Sequence, residues 1–207
     1  LSPEHITAWR PMIAAGDLVV ADTNLSASTL ESLVDHAAGA GVDLVLECAS
    51  TPKAARLALL AERPPDRRPA WIVCNEAERR ALLEATPVTS HRSCELPEAS
   101  LTLPALAGRI CVTDGAHGSV VADPEAESGR RYAAYPSEAV DTTGGGDAFT
   151  AGLCSGLAAG LAEAQAIDRA SAAAAIVVQH SQAVTTALNP AAVKALQRAS
   201  RARRRQK

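Results

Sequence analysis

Apolar residues in this chain gather into short runs, separated by stretches with helical spacing. Leu18-Val19-Val20-Ala21-Asp22, Val42-Asp43-Leu44-Val45-Leu46-Glu47, Ala70-Trp71-Ile72-Val73-Cys74 and Arg109-Ile110-Cys111-Val112-Thr113 each have the length of a buried strand. Between the first two, Leu30, Leu33, Val34 and Ala37 share one helix face, with Ser26 as cap and Gly39 and Gly41 at the end. Thr51-Pro52 starts a second helix carrying Ala55, Leu57, Leu59 and Leu60, which the proline-rich residues 63–69 stop. Residues 76–85 read as a third helix, and residues 4–13 have mixed helical spacing behind the start signals Ser2 and Pro3. Residues 91–106 have no period and are expected to be irregular. Residues 118–122 and 131–135 predict a hairpin around a polar turn. Ala-rich helices follow over 147–159 and 163–179, and Pro190 opens the last one.

Strands alternating with helices predict an α/β fold, a mostly parallel sheet with helices on both faces. No repeat or low-complexity linker divides the chain, so residues 1–207 read as one domain. Ligands of such sheets gather outside the carboxyl ends of the strands. Asp22, Glu47, Asn75 and Thr113-Asp114 all stand at predicted strand ends.

Composition narrows the function. The chain is 47% hydrophobic but only 2% aromatic, so Ala, Val, Leu and Ile must build its core. A net charge of −3 gives no electrostatic case for a nucleic-acid partner. The basic tail, Arg198 and residues 201–207, reads as a solvated, frayed terminus; a localisation or polyanion-binding signal is the alternative. Five widely spaced cysteines without a C-x-x-C pair support neither a zinc site nor a disulfide framework, and fit a reducing, cytoplasmic compartment. No apolar run is long enough for a bilayer, and the first five residues are not a signal peptide. A chain beginning with Leu1 is expected to be a segment of something longer.

The chemistry concentrates in Asp141-Thr142-Thr143-Gly144-Gly145-Gly146-Asp147-Ala148-Phe149. Glycines let a ligand approach the backbone, and the first N–H groups of a helix favour anions. Asp147 would stand beside that anion site as a general base for phosphoryl transfer. A flexible turn with Asp147 as helix cap accounts for the same residues. With its flanks, Asp-Thr-Thr-Gly-Gly-Gly-Asp-Ala-Phe-Thr-Ala-Gly resembles the C-terminal motif of the ribokinase-like (PfkB) carbohydrate and nucleoside kinases. Gly145 stands where that family usually carries Ala.

The resemblance implies a three-layer α-β-α ribokinase-like fold, ATP and Mg²⁺ as cofactors, and a small-molecule sugar or nucleoside as acceptor, with no nucleic acid or membrane partner. Asp147 would be the base, and Gly144, Gly145 and Gly146 the anion hole. Asn75-Glu76-Ala77-Glu78 matches the family's Asn-x-x-Glu, in which Glu78 would hold Mg²⁺ through water and Asn75 would orient it; a helix cap explains the same pair. Thr113, Gly115 and Gly118 resemble the segment lying along the nucleotide, with Thr142 beside it, although turn chemistry also explains the two glycines. Asp141 and Thr143 resemble positions near a monovalent-cation site such as K⁺. Residues 171–179 and Asn189-Pro190 correspond to the adenine-side helix and closing turn, where Ala-rich packing is explanation enough.

Asp22-Thr23-Asn24-Leu25-Ser26, Glu47 with Lys53, and His5 with Trp9 resemble the pseudouridine kinase branch, which puts Asn24 and Lys53 on the substrate side. Cys48-Ala49-Ser50 departs from that branch's Pro and small residue before Ser. Adenosine, ribose, fructose and a ketogluconate remain alternative acceptors. A catalytically idle nucleotide-binding or partner-docking remnant is the alternative of another class. Nothing before Leu18 matches the family's early Gly-Gly motif, its substrate-gripping acid or its β lid. The chain is therefore expected to lack the N-terminal strands and lid, to be weak or inactive alone, and to be completed by an N-terminal segment or a homo-oligomer.

Overall fold

The four apolar runs are parallel strands. In the computed structural model, which describes residues 1–13, 16–97 and 99–204, they are β1 (Leu18–Asp22), β2 (Asp43–Glu47), β3 (Trp71–Asn75) and β6 (Arg109–Thr113). Asp22 stands opposite Glu47 and Asn75 opposite Thr113, while Glu47 faces Val73, so β3 and β6 run two residues beyond β1 and β2 at their carboxyl ends. Strands β4 (His91–Glu95), β5 (Ser100–Pro104), β7 (Ser119–Asp123) and β8 (Ser128–Tyr132) extend the sheet to eight strands in the order β1-β2-β3-β6-β7-β8-β4-β5. Strand β4 pairs antiparallel with β5 and parallel with β8, so the sheet is mixed.

Contacts divide the chain into two compact units: Leu1–Asp114 with Val120–Arg131, and Gly115–Ser119 with Tyr132–Lys207. The first holds nearly all of the sheet. Its core joins Leu44, Leu46, Ile72, Cys74, Ile110 and Val112 to Leu30, Leu33 and Val34 of α2 (Ala27–Ala40) and Leu82 of α4 (Glu76–Ala85). Helix α2 starts on the Ser26 side chain, which accepts from the Thr29 N–H. It ends at Gly41 rather than Gly39, with φ at +65°, where a Cβ would be strained. Trp71 is buried in β3, and Trp9 ends the short α1 (Pro3–Trp9).

Several expectations change. Residues 91–106 hold the β4–β5 pair rather than an irregular segment. Each of those strands buries one or two side chains, Cys94 in the first and Leu103 with Pro104 in the second, so no apolar alternation shows in the sequence. The helix expected from Thr51 is one α-turn, α3 (Thr51–Ala54), followed by 3-10 turns over Ala55–Leu60. Its buried Leu57 and Leu60 sit three apart, as the tighter helix requires. The hairpin is real, but its second strand starts three residues early, at Ser128.

The second unit is helical: α5 (Gly145–Ala158), α6 (Glu163–Val177) and α7 (Pro190–Arg204). Helices α5 and α6 meet through glycine. A Cβ on Gly152 would lie 2.7 Å from the Ala170 Cα, and one on Gly156 2.8 Å from the Ala166 Cα. Helix α7 packs Val193 against Ala172 and Ile176. Asp168 ties the unit together, accepting from the Tyr135 hydroxyl at 2.6 Å and the Gln197 amide at 2.8 Å. Arg201 lies 3.5 Å from the same carboxylate within α7, so it belongs to the helix rather than to a frayed end; residues 205–207 of the basic tail lie outside the described residues.

Gly152→Val should lower the unfolding free energy by about 1–3 kcal/mol through overpacking. Gly39→Ala, inside α2 with nothing within 4 Å of the new methyl, should raise it by about 0.5–1 kcal/mol. Urea unfolding of the two variants beside the parent chain checks both.

Candidate active site

The loop after β1 carries Asn24, expected on the acceptor side. Thr23 is fully buried; its N–H donates to the Glu47 carbonyl at 3.0 Å and its hydroxyl accepts from the Ala49 N–H at 2.9 Å. Asn24 is exposed. Its backbone N–H and side-chain amide donate to the two oxygens of Asp22 at 2.8 and 2.9 Å, and its Oδ1 accepts from Lys53 Nζ at 2.5 Å. The structure thus brings Asn24 and Lys53 together although 29 residues separate them.

At the end of β3, Asn75 and Glu78 form a reciprocal cap. Asn75 Oδ1 accepts from the Glu78 N–H, and Glu78 Oε2 accepts from the Asn75 N–H, both at 2.9 Å. Burial raises the Glu78 carboxyl above its ordinary 4.5, against the hydrogen bonds from Asn75. The cap occupies one carboxylate oxygen and leaves Oε1 as the oxygen that could hold a metal-bound water. Glu76, by contrast, is drawn down to about 2 by Arg79 and then Arg80. Thr113 stands opposite Asn75 and donates its hydroxyl to the Cys74 carbonyl at 3.3 Å.

Burial also pushes the Cys48 and Cys74 thiols well above the ordinary range and Cys94 up to about 11, so these thiols are poor nucleophiles. Among the described residues no cluster of His, Cys, Asp and Glu forms a metal site, and no helix is long and apolar enough to cross a membrane.

In the second unit, Gly115 and Gly118 both take positive φ, +50° and +95°. A Cβ on Gly118 would fall 2.0 Å from the Tyr132 carbonyl oxygen, so this glycine is sterically required. The glycine loop is folded with similar economy. The Asp141 carboxylate accepts from the Thr143 N–H at 2.8 Å, which holds it below the usual carboxylate range. The Val140 and Asp141 N–H groups both donate to the Val178 carbonyl, at 2.8 and 3.2 Å.

Gly144 is the N-cap of α5 with φ +79°, and a Cβ there would lie 2.7 Å from the Ala183 carbonyl oxygen. Gly144 thus lies against the Ala183 backbone with no room for a side chain, and the N–H groups that open the helix behind it are of the kind that suits an anionic phosphate group. Gly145 begins α5 two residues before the expected start; its N–H closes a turn on the Thr142 carbonyl at 3.1 Å. The helix N–H groups next in line, of Gly146 and Asp147, are then the ones directed outward. A Cβ on Gly145 would meet Val178 Cγ1 at 3.0 Å, which gives this departure from Ala a steric reason. Asp147 lies in the first turn of α5, exposed, with no partner for its carboxylate among the described residues.

The chain belongs to the pfkB family of carbohydrate kinases, whose model matches residues 4–190. Among curated proteins it is 32% identical over 190 residues to the bifunctional protein HldE of Bradyrhizobium sp. strain ORS 278, a match covering 88% of this chain and 36% of that protein. Among solved structures, a carbohydrate kinase from Agrobacterium tumefaciens is 27% identical with a TM-score of 0.68, covering 95% of this chain and 59% of that one. Aminoimidazole riboside kinase from Salmonella enterica, solved with aminoimidazole riboside and an ATP analogue, is 17% identical with a TM-score of 0.67, over 95% and 66%. The fold is thus ribokinase-like α/β, and the chain spans about a third of the curated relative and three-fifths of the structural ones.

Asn75→Ala should cost about 1 kcal/mol through the lost cap. Glu78 has a folded pKa raised above its unfolded value, so its stabilising proton is present below pH 4.5 and lost as pH rises through the folded value. Urea midpoints between pH 4 and 8 in metal-free buffer should fall with pH more steeply for the parent chain than for Glu78→Gln.

Proposed function

We propose that this chain works in ATP-dependent phosphoryl transfer to a primary hydroxyl of a nucleoside, with pseudouridine as acceptor and pseudouridine 5'-phosphate as product, within a single ribokinase-like kinase domain in the cytoplasm. The observation that carries the reading is Asp147, a carboxylate without a partner among the described residues, in the first turn of a helix that opens on a glycine N-cap, Gly144. Bound Mg·ATP would supply the phosphoryl group and the neutralising cation.

Asp147 would take the proton of the acceptor hydroxyl as its oxygen bonds to the γ-phosphorus, the bond from that phosphorus to the β–γ bridging oxygen breaks, and ADP leaves. The backbone of Gly144, Gly145 and Gly146 holds developing negative charge, with the Gly146 N–H open and the Gly145 N–H locking the turn. Glu78, whose carboxylate Asn75 fixes, would hold Mg²⁺ through water with its uncapped oxygen. Thr113 in the first unit, and Gly115, Gly118 and Thr142 in the second, would be nucleotide-side residues. Asp141 and Thr143 lie at a monovalent-cation site, for which a carboxylate kept ionised is suited.

The nucleoside reading draws support from Asn24. Asp22 takes one N–H of its amide and Lys53 donates to its oxygen, which sets the amide's orientation. One N–H and one lone pair remain, a donor and an acceptor of the kind that a pyrimidine imide edge would engage.

Calorimetric titration with Mg·ATP, with and without pseudouridine, tests the reading. Saturable ATP binding that tightens with pseudouridine is expected; a folded chain that binds neither removes it. Asp147→Asn should lower turnover at least ~10²-fold while leaving Mg·ATP affinity unchanged, and retained turnover would remove Asp147 as the base.

A further inference from the structure

Arg56 has no place in the chemistry above, yet it organises the acceptor-side loop. It lies in the 3-10 stretch Ala55–Leu60, half-buried. Its Nη1 donates toward three consecutive carbonyls: Thr23 O at 2.7 Å, Leu25 O at 3.0 Å and Asn24 O at 3.4 Å. Three successive carbonyls turned to one point repel one another unless a cation faces them, and a guanidinium stays charged at every working pH. The loop's own N–H groups are committed elsewhere: Thr23 to the Glu47 carbonyl, Asn24 to the Asp22 carboxylate, and Leu25 to the Asp22 carbonyl at 3.4 Å.

The buried Thr23 hydroxyl pins the same loop from the other side through Ala49. Lys53, three residues before Arg56, reaches the Asn24 side chain. One short segment after β2 therefore holds the loop after β1 at two levels. Arg56 fixes its backbone, and Lys53 orients its exposed amide.

We propose that Arg56 is a positioning residue, which fixes residues 23–25 so that the Asn24 amide meets the acceptor and thereby sets acceptor affinity without touching the nucleotide. The proposal rests on the acceptor-side reading of Asn24 and Lys53. Misplacing a binding group by about 1 Å can cost ~10²-fold. Truncation of Arg56 should therefore act on the acceptor alone.

The test compares the parent chain with Arg56→Ala and Arg56→Lys, by amide hydrogen exchange over residues 22–26 and by kinetics with pseudouridine and with Mg·ATP. Arg56→Ala should speed exchange at Thr23 and Asn24 and raise the pseudouridine KM about 10- to 100-fold, with the ATP KM unchanged. Arg56→Lys, which keeps a cation with three donors on a different stem, should recover part of both effects even if the alanine variant folds poorly. Unaltered exchange in both variants, or equal shifts in the two KM values, would overturn the proposal. If the parent chain phosphorylates no nucleoside or sugar, the functional reading fails, and the exchange data still decide whether Arg56 holds the loop.

Discussion

Two helices that touch through glycine set the geometry of the loop of residues 140–146. Gly152 and Gly156 let α5 approach the backbone of α6 at Ala170 and Ala166, closer than any side chain would allow. That approach has consequences one turn further along. Val178, the residue that follows α6, lends its carbonyl to the N–H groups of both Val140 and Asp141, and its side chain crowds the position where Gly145 would carry a Cβ. Ala183 closes over Gly144 in the same way. The loop is thus shaped by the end of α6 as much as by its own residues, and close-packed interiors transmit small shifts of that kind.

The residues of the first unit solve a different problem. Here the reactive groups sit at strand ends, where backbone hydrogen bonds run out and side chains must complete them. Asn75 and Glu78 complete each other, Thr23 completes Ala49, and Arg56 completes three carbonyls. Of these groups, the Asn24 side chain stays exposed and one Glu78 oxygen stays outside the cap. Structure and chemistry share the same side chains, so a cap and a metal-orienting carboxylate are compatible duties of one residue.

The parallel strands and the helix after the glycine loop were legible because burial on both faces, and glycine before an Ala-rich period, leave strong marks in a sequence. Strands β4 and β5 left none, since their pairing rests on the backbone and on few buried side chains. The 3-10 turns after Thr51 carry the same leucines that an α-helix would. The pairing of Asn24 with Lys53 was foreseen only as membership of one site; the hydrogen bond itself depends on register between β1 and β2. Arg56 could not be singled out, because backbone carbonyls carry no residue identity. The spacing of Lys53 and Arg56 on one short segment was the only available hint.

The scarcity of aromatic residues has an experimental consequence of its own. Trp9 and Trp71 belong to one compact unit, while Tyr132, Tyr135 and Phe149 belong to the other. Each unit therefore carries its own spectroscopic label. Indole emission follows Trp71, buried in the strand that ends at Asn75, together with the exposed Trp9 of α1. Tyrosine absorbance follows the helices whose hydroxyl contacts are Glu163 and Asp168. A single unfolding curve recorded at two wavelengths thus resolves whether the two units lose structure as one cooperative body or in sequence.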